Sequence, residues 1–146
     1  MSTTAKDLTQ EPPRSPRVRL GGYALIARAI DKGRAALNGT SGEYHFDCPL
    51  DNYLFGFKEV KGEDVKALLA NGATDEEVVA WLDTHGAAKT AEEVTGFSDS
   101  VEAARPYDNE EKKEWFIEVC KEVDIDPAKS TLFDYLETDD ALVGKS

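Results

Sequence analysis

The chain is 146 residues long, 40% of them hydrophobic, with two tryptophans, five tyrosines and six phenylalanines, a size and apolar content suited to one domain with a real core. A formal charge of −12 repels phosphate backbones and anionic lipid, so neither nucleic acid nor a membrane surface is an expected partner. Apolar runs such as "YALIA" at 23 to 27 fall far short of the roughly 20 residues needed to cross a bilayer.

The opening "MSTTAKDLTQEPPRS" has no apolar h-region and no small-residue cleavage site, so it reads as a polar leader, and the expected location is the cytoplasm. Two cysteines, Cys48 and Cys120, stand far apart in no paired-spacing motif. They are read as free thiols. Charge is uneven along the chain: residues 1 to 38 carry seven Lys/Arg against three Asp/Glu, whereas the remainder carries ten against twenty-six.

Taken in chain order, residues 1 to 13 are expected to be a flexible arm, because "EPP" forbids a helix there. In "RSPRVRLGGYALIARAIDKGRAALNG", Ser15 can cap with Pro16 in the first turn, and Tyr23, Ile26, Ile30 and Leu37 recur at helical spacing until Asn38 and Gly39. Gly21 and Gly22 weaken the first turns, which moves the start toward Gly22 or Tyr23. "EYHFD", 43 to 47, alternates as a short strand or an extended connector would. Pro49 suits a first helical position, making Cys48 the N-cap of a short helix over "LDNYLFGF". A further helix over "EDVKALLA" stops at Asn71 and Gly72.

Three capping boxes are then expected, at Thr74 with Glu77, Thr90 with Glu93, and Asp108 with Glu111, each followed by an apolar-periodic run. Trp81, Phe97 and Trp115 fall on or beside those stripes and are read as core. A last short helix begins near Pro127 or Ser130 and packs Leu132, Phe133 and Leu136, before a polar tail over 141 to 146. The fold class predicted is mainly α, with six or seven short helices in one domain over 14 to 140 and at most a minor strand pair.

The candidate chemistry lies early in the chain. A cysteine at a helix N-cap meets unpaired amides and the positive end of the helix dipole, which favours thiolate chemistry. Asp47 and Asp51 flank Cys48 and act in the opposite sense. The competing reading is a small buried apolar Cys beside a hydrogen-bonded His45. His45 and Asp47 form H-x-D, with His85 a third conceivable ligand, but no closed metal set is visible and no metal is assigned. At 100° per residue, Arg17, Gly21, Ala24, Arg28 and Lys32 share one helix face. Such a face can grip a carboxylate or phosphate, it can be ordinary solvated surface with Arg28 paired to Asp31, or it can dock against the acidic remainder of the chain. The many first-turn glutamates are read as helix-dipole complements. No phosphate-binding glycine loop is present: "RLGGY" lacks the required spacing.

The elements R-S-P-R (Arg14 to Arg17), L-G-G-Y (Leu20 to Tyr23), Asp31 with Lys32, and Y-H-x-x-C-P-L-D (Tyr44 to Asp51) resemble the opening of a bacterial family, domain of unknown function 5069. "AARPYDNEEKKEWF" resembles its later part. The resemblance implies a small, soluble, chiefly helical bacterial protein, and supplies neither an activity nor catalytic residues.

Two functional readings follow. One is a small-molecule site in which Arg14, Arg17 and Arg28 orient an anionic ligand and His45 with Cys48 supplies acid/base or nucleophilic chemistry, with the cofactor unspecified. The other is a non-catalytic interaction or regulatory domain whose basic arm and acidic body meet a protein partner.

Overall fold

The computed structural model of the chain describes residues 4–143, and among these the secondary structure is helical, with no sheet. Seven α-helices follow in order: α1 (Ile26–Asn38), α2 (Pro49–Lys58), α3 (Gly62–Ala70), α4 (Asp75–Thr84), α5 (Ala91–Glu102), α6 (Lys113–Glu122) and α7 (Leu132–Asp140). Two single 3-10 turns, Pro106–Asp108 and Pro127–Lys129, precede α6 and α7. No helix among the described residues is long and apolar enough to cross a membrane.

The first helix begins later than its periodicity predicts. Gly21 and Gly22 have φ of 58° and 88°, and Leu20 and Tyr23 exchange backbone hydrogen bonds of 3.1 and 3.0 Å across them. Positive φ at both central residues is the signature of a type I′ turn, which glycine adopts without steric cost. "LGGY" is therefore a tight turn, and Arg17 and Gly21 lie outside the helix whose face they were expected to share with Arg28 and Lys32. Leu25 caps α1 at φ 73°, a left-handed conformation costing about 1–2 kcal/mol for a residue with a Cβ. Its side chain is buried and its amide donates to Pro16 O at 3.1 Å, so packing on both sides holds it there.

From Ile26 to Ala35 every residue of α1 is buried, including Arg28, Asp31, Lys32 and Arg34. Over these residues the helix is an axis with no solvated face, whereas Leu37, expected on the apolar stripe, is exposed with Asn38 at the end of α1. Ile26, Ala29 and Ile30 join Leu54 and Phe55 of α2, Val65 and Leu69 of α3, Val78 and Leu82 of α4, Val94 of α5 and Phe133 of α7 in one apolar cluster. Ser98 of α5 stitches the I′ turn to this core, accepting from Ala24 N at 2.8 Å and donating to Gly22 O at 2.6 Å.

The segment expected as a loose arm lies against the helical body: Leu8 is buried and its amide donates to Thr40 O at 2.8 Å, while residues 1 to 3 fall outside the described residues. "EYHFD" is a connector. The boxes at Thr74 and Thr90 form as expected. The one expected at Asp108 does not, because Asp108 ends a 3-10 turn and α6 starts only at Lys113. Asn109 Oδ1 instead accepts from Glu111 N at 2.9 Å. A third box forms at Thr131 with Asp134, setting the start of α7 beyond Pro127 and Ser130. Trp81 and Phe97 pack against the core as partly buried side chains, whereas Trp115 is 48% exposed.

Between α4 and α5, Ala87 N donates to Lys58 O at 2.6 Å and the buried Lys58 ammonium donates to Ala87 O at 2.6 Å. Gly86 makes this approach possible: its φ is 69°, and a Cβ there would meet Lys58 O at 1.9 Å. Gly86→Ala is expected to destabilise the fold by about 2–4 kcal/mol, the sum of left-handed strain and overpacking. Urea denaturation measures this, and a loss below about 0.5 kcal/mol contradicts the close approach.

Candidate functional site

The connector 42–48 crosses α1 and delivers Cys48 to the N-terminus of α2. Asp47 at φ 63° turns the chain, Cys48 takes extended geometry as N-cap, and Pro49 opens the helix. Asn52 then ties the junction, its amide donating to Asp47 O at 3.0 Å, Asp47 Oδ1 at 2.9 Å and Cys48 O at 3.0 Å. This is local chemistry that the sequence prescribes.

What the sequence does not prescribe is the side chain beneath it. Lys32 Nζ lies 3.3 Å from Cys48 Sγ and 2.9 Å from Asp51 Oδ1, with the lysine side chain 4% exposed and the aspartate 1%. Asp51 Oδ2 accepts from Asp47 N at 2.9 Å. Its Oδ1 meets the ammonium at ion-pair distance without hydrogen-bond alignment, and is the one buried side-chain oxygen among the described residues left without such a bond. The result is a buried Lys–Asp pair with a thiol on the ammonium. A charge pair this deep requires both partners, because removing one leaves an uncompensated charge out of water.

One turn earlier on α1, Arg28 grips Asp140 of α7 through two hydrogen bonds of 2.7 and 3.1 Å, and Tyr44 Oη donates to Asp140 Oδ1 at 2.8 Å. The guanidinium lies 5.4 Å from the Tyr44 ring centroid, in cation–π range. Burial opposes the Arg28 charge, but the hydrogen bonds and charge of Asp140 outweigh it and hold the group above its ordinary pKa. Burial, then the hydrogen bond to Asp140, raises the Tyr44 phenol. Asp139 is also raised, first by burial and then by the charge of Asp140, so it keeps its proton to higher pH than an ordinary carboxyl.

Arg28, Lys32, Tyr44, His45, Cys48 and Asp139 line one cavity of about 1310 Å³. Its walls are mainly apolar: Leu50, Tyr53 and Phe57 from α2, Phe97 and Val101 from α5, Trp115 from α6, and Leu132, Tyr135 and Leu136 from α7. His45 sits exposed on the rim, and no hydrogen bond joins it to Cys48. Cys120, in contrast, is fully buried in α6, with its thiol pKa raised by burial and then by Asp126.

Arg14 and Arg17 are absent from the lining. Arg14 binds Asp31 and Asp75, with its closest contact 2.8 Å to Asp75 Oδ2, and Arg17 binds Asp134 at 2.6 Å and Glu137 at 2.9 Å. Each guanidinium is thus engaged by carboxylates of its own chain. His85 caps α4 by stacking on Trp81 at 4.6 Å, with Nδ1 2.9 Å from Trp81 O. No group of three His, Cys, Asp or Glu side chains among the described residues could hold a metal ion.

The sequence places Lys32 on the helix face that could grip an anion but gives no sign that it meets Cys48, and it does not mark Asp51, Asp139 or Asp140 as site groups. Asp51 had been weighed as a negative neighbour opposing Cys48. In the structure it is the counter-ion of the lysine that contacts the sulfur. Asp140 lies 112 residues from Arg28, and no local signal links them.

A family model described as a domain of unknown function, DUF5069, matches residues 10–142. The chain belongs to the DUF5069 family. Both the cavity and the Lys32–Asp51–Cys48 cluster fall inside the DUF5069 match. No curated protein matches the chain.

The pairing of Arg14 generates a pH dependence. Burial would raise the Asp75 pKa, but hydrogen bonds and charge from Arg14, with the charge of Arg34, lower it below its ordinary 3.8. A carboxyl with a lowered folded pKa contributes stability above its unfolded value and loses it as pH falls through the folded one. Asp75→Asn is therefore expected to lower the melting temperature at pH 6 and to shrink the difference from wild type below pH 3.8. Melting curves from pH 2 to 7 check this, and a difference that grows toward low pH contradicts it.

Proposed function

We propose that the protein binds a small anionic molecule in the α1–α2–α5–α7 cleft and presents the Cys48 sulfur to it as a nucleophile. The observation that carries this reading is the 3.3 Å contact between Lys32 Nζ and Cys48 Sγ at the cavity wall, beside the N-terminus of α2. Thiolate chemistry belongs to sites of positive charge with access to solvent. Cys48 combines an ammonium, a helix N-terminus and partial exposure.

The roles divide by position. Cys48 is the attacking group and Lys32 its charge partner. Arg28 adds positive charge at the floor while Asp140 holds it in place. His45 on the rim and Asp139, whose pKa is raised by burial and by the charge of Asp140, are the available acid/base groups. Arg14 and Arg17 take no part in this reading, since their own carboxylates occupy them. The alternative of a basic partner-binding arm has less support for the same reason, because Arg19 too is paired, with Asp99 at 2.8 Å.

The reading predicts that iodoacetamide alkylates Cys48 at least tenfold faster than Cys120 in the native protein, and that Cys48→Ser removes the fast phase. It also predicts a preference for anions. The ratio of iodoacetate to iodoacetamide rates at Cys48 should exceed the ratio for free glutathione, although the net charge of −12 repels anions from the molecule as a whole. Equal, slow labelling of both cysteines would overturn the nucleophile, and a ratio at or below that of glutathione would overturn the anion site.

A further inference from the structure

We infer that the occupant of this cleft is an elongated apolar molecule ending in an anionic group, its head beside Lys32 and Arg28 and its chain lying along α5 and α7. The inference rests on reading the cleft as a small-molecule site, and it adds the ligand's class.

The first argument is the distribution of apolar surface. Among the described residues, five large hydrophobic side chains are exposed, and three of them, Tyr53, Trp115 and Leu142, line this one cavity. Scattered exposed hydrophobics need no explanation, but clustering around a concave site marks a binding surface. The apolar wall continues inward through Phe57, Phe97, Val101, Leu132 and Leu136.

Size is the second argument. At about 1310 Å³ the cavity exceeds the roughly 300–1,000 Å³ of sites for compact drug-sized ligands. A short polar anion such as acetate would leave most of the apolar wall wet. A chain of methylenes would gain about 0.8 kcal/mol for each CH₂ it buries.

Charge is the third. In a chain of net −12, the lining holds four cations, Arg28, Lys32, Arg105 and Lys112, against three carboxylates, Glu43, Glu111 and Asp139. Arg28 and Lys32 are buried at the floor, each held by a buried carboxylate, Asp140 or Asp51, that does not itself line the cavity, whereas Glu43 and Glu111 are exposed on the rim. The ammonium of Lys32 has three donors; one points to Cys48 Sγ, and its contact with Asp51 lacks hydrogen-bond alignment, so it has capacity for a further acceptor. The polar end of the cleft thus suits an anion and the rest suits hydrocarbon.

The test uses the full chain carrying Trp81→Phe, which leaves Trp115 at the cleft as the single tryptophan. Decanoate, decyl phosphate, 1-decanol and butyrate are titrated below micelle-forming concentrations, followed by Trp115 emission and calorimetry. Expected is saturation at one decanoate or decyl phosphate per chain with a Trp115 blue shift, at least tenfold tighter than 1-decanol and at least a hundredfold tighter than butyrate. The tighter of the two anions identifies the head as carboxylate or phosphate. Val101→Glu, checked for folding by circular dichroism, should weaken decanoate binding at least tenfold; should it fail to fold, Leu136→Gln serves instead. Absence of saturable binding by either decyl anion, equal binding of 1-decanol, or indifference to both substitutions would overturn the inference. If iodoacetate still prefers Cys48 while decanoate does not bind, the ligand class alone fails. If Cys48 is unreactive while decanoate binds, the nucleophile fails and the ligand class stands.

Discussion

Four charged side chains on one buried helix need counter-charges, and meeting that need organises the molecule. Arg28 takes Asp140 from α7, Lys32 takes Asp51 from α2, Asp31 takes Arg14 from the N-terminal segment, and Arg34 takes Asp75 at the start of α4 together with Ala73 O. A single unpaired charge at these depths costs about 3–5 kcal/mol, comparable with a large part of a small domain's stability. The pairs need add little net stability relative to a hydrocarbon core. They make arrangements that leave an ion unpaired too costly to populate, and so fix where the surrounding elements sit on α1.

That constraint also shapes the cleft. Two of the four charges, on successive turns of α1, face a cavity whose other walls are apolar. Asp140 and Asp51 hold Arg28 and Lys32 in place from behind, so their cationic groups stay at the floor where water is scarce and electrostatic interactions are stronger. The connector brings Cys48 over Lys32 because Asp47, Cys48 and Pro49 together start α2 at that point. The proposed reactivity and the proposed ligand class both derive from this one placement of positive charge under hydrocarbon walls.

Much of the local structure was legible in the sequence. The boxes at Thr74 and Thr90, the stop at Asn71 and Gly72, and the Cys48–Pro49 helix start all follow from groups within four residues of each other. The mainly helical class followed from the same signals. The character of α1 was not legible, because nothing local decides whether Arg28 and Lys32 meet solvent, an anion or acidic partners, and those partners lie 16 to 112 residues away in the chain. The Gly21–Gly22 pair was seen as a weak helix start, since single-residue propensity does not reveal that both adopt positive φ and close a I′ turn. In the site, His45 and Cys48 are candidates for their chemistry and both line the cavity, while Arg17 is grouped with Arg28 by a helical periodicity that does not extend to it, and Arg14, named beside them, is held by Asp31 and Asp75.

The most direct test of the charge-pairing account is a double-mutant cycle on Arg28 and Asp140, measured by urea denaturation. The account predicts that Arg28→Met alone costs about 3–5 kcal/mol. With Asp140→Leu added, the total should fall short of the sum of the single losses by more than about 1 kcal/mol, because the double variant leaves neither charge of the pair buried without its partner. Strictly additive losses, or an Arg28→Met variant within about 0.5 kcal/mol of the parent, would contradict it.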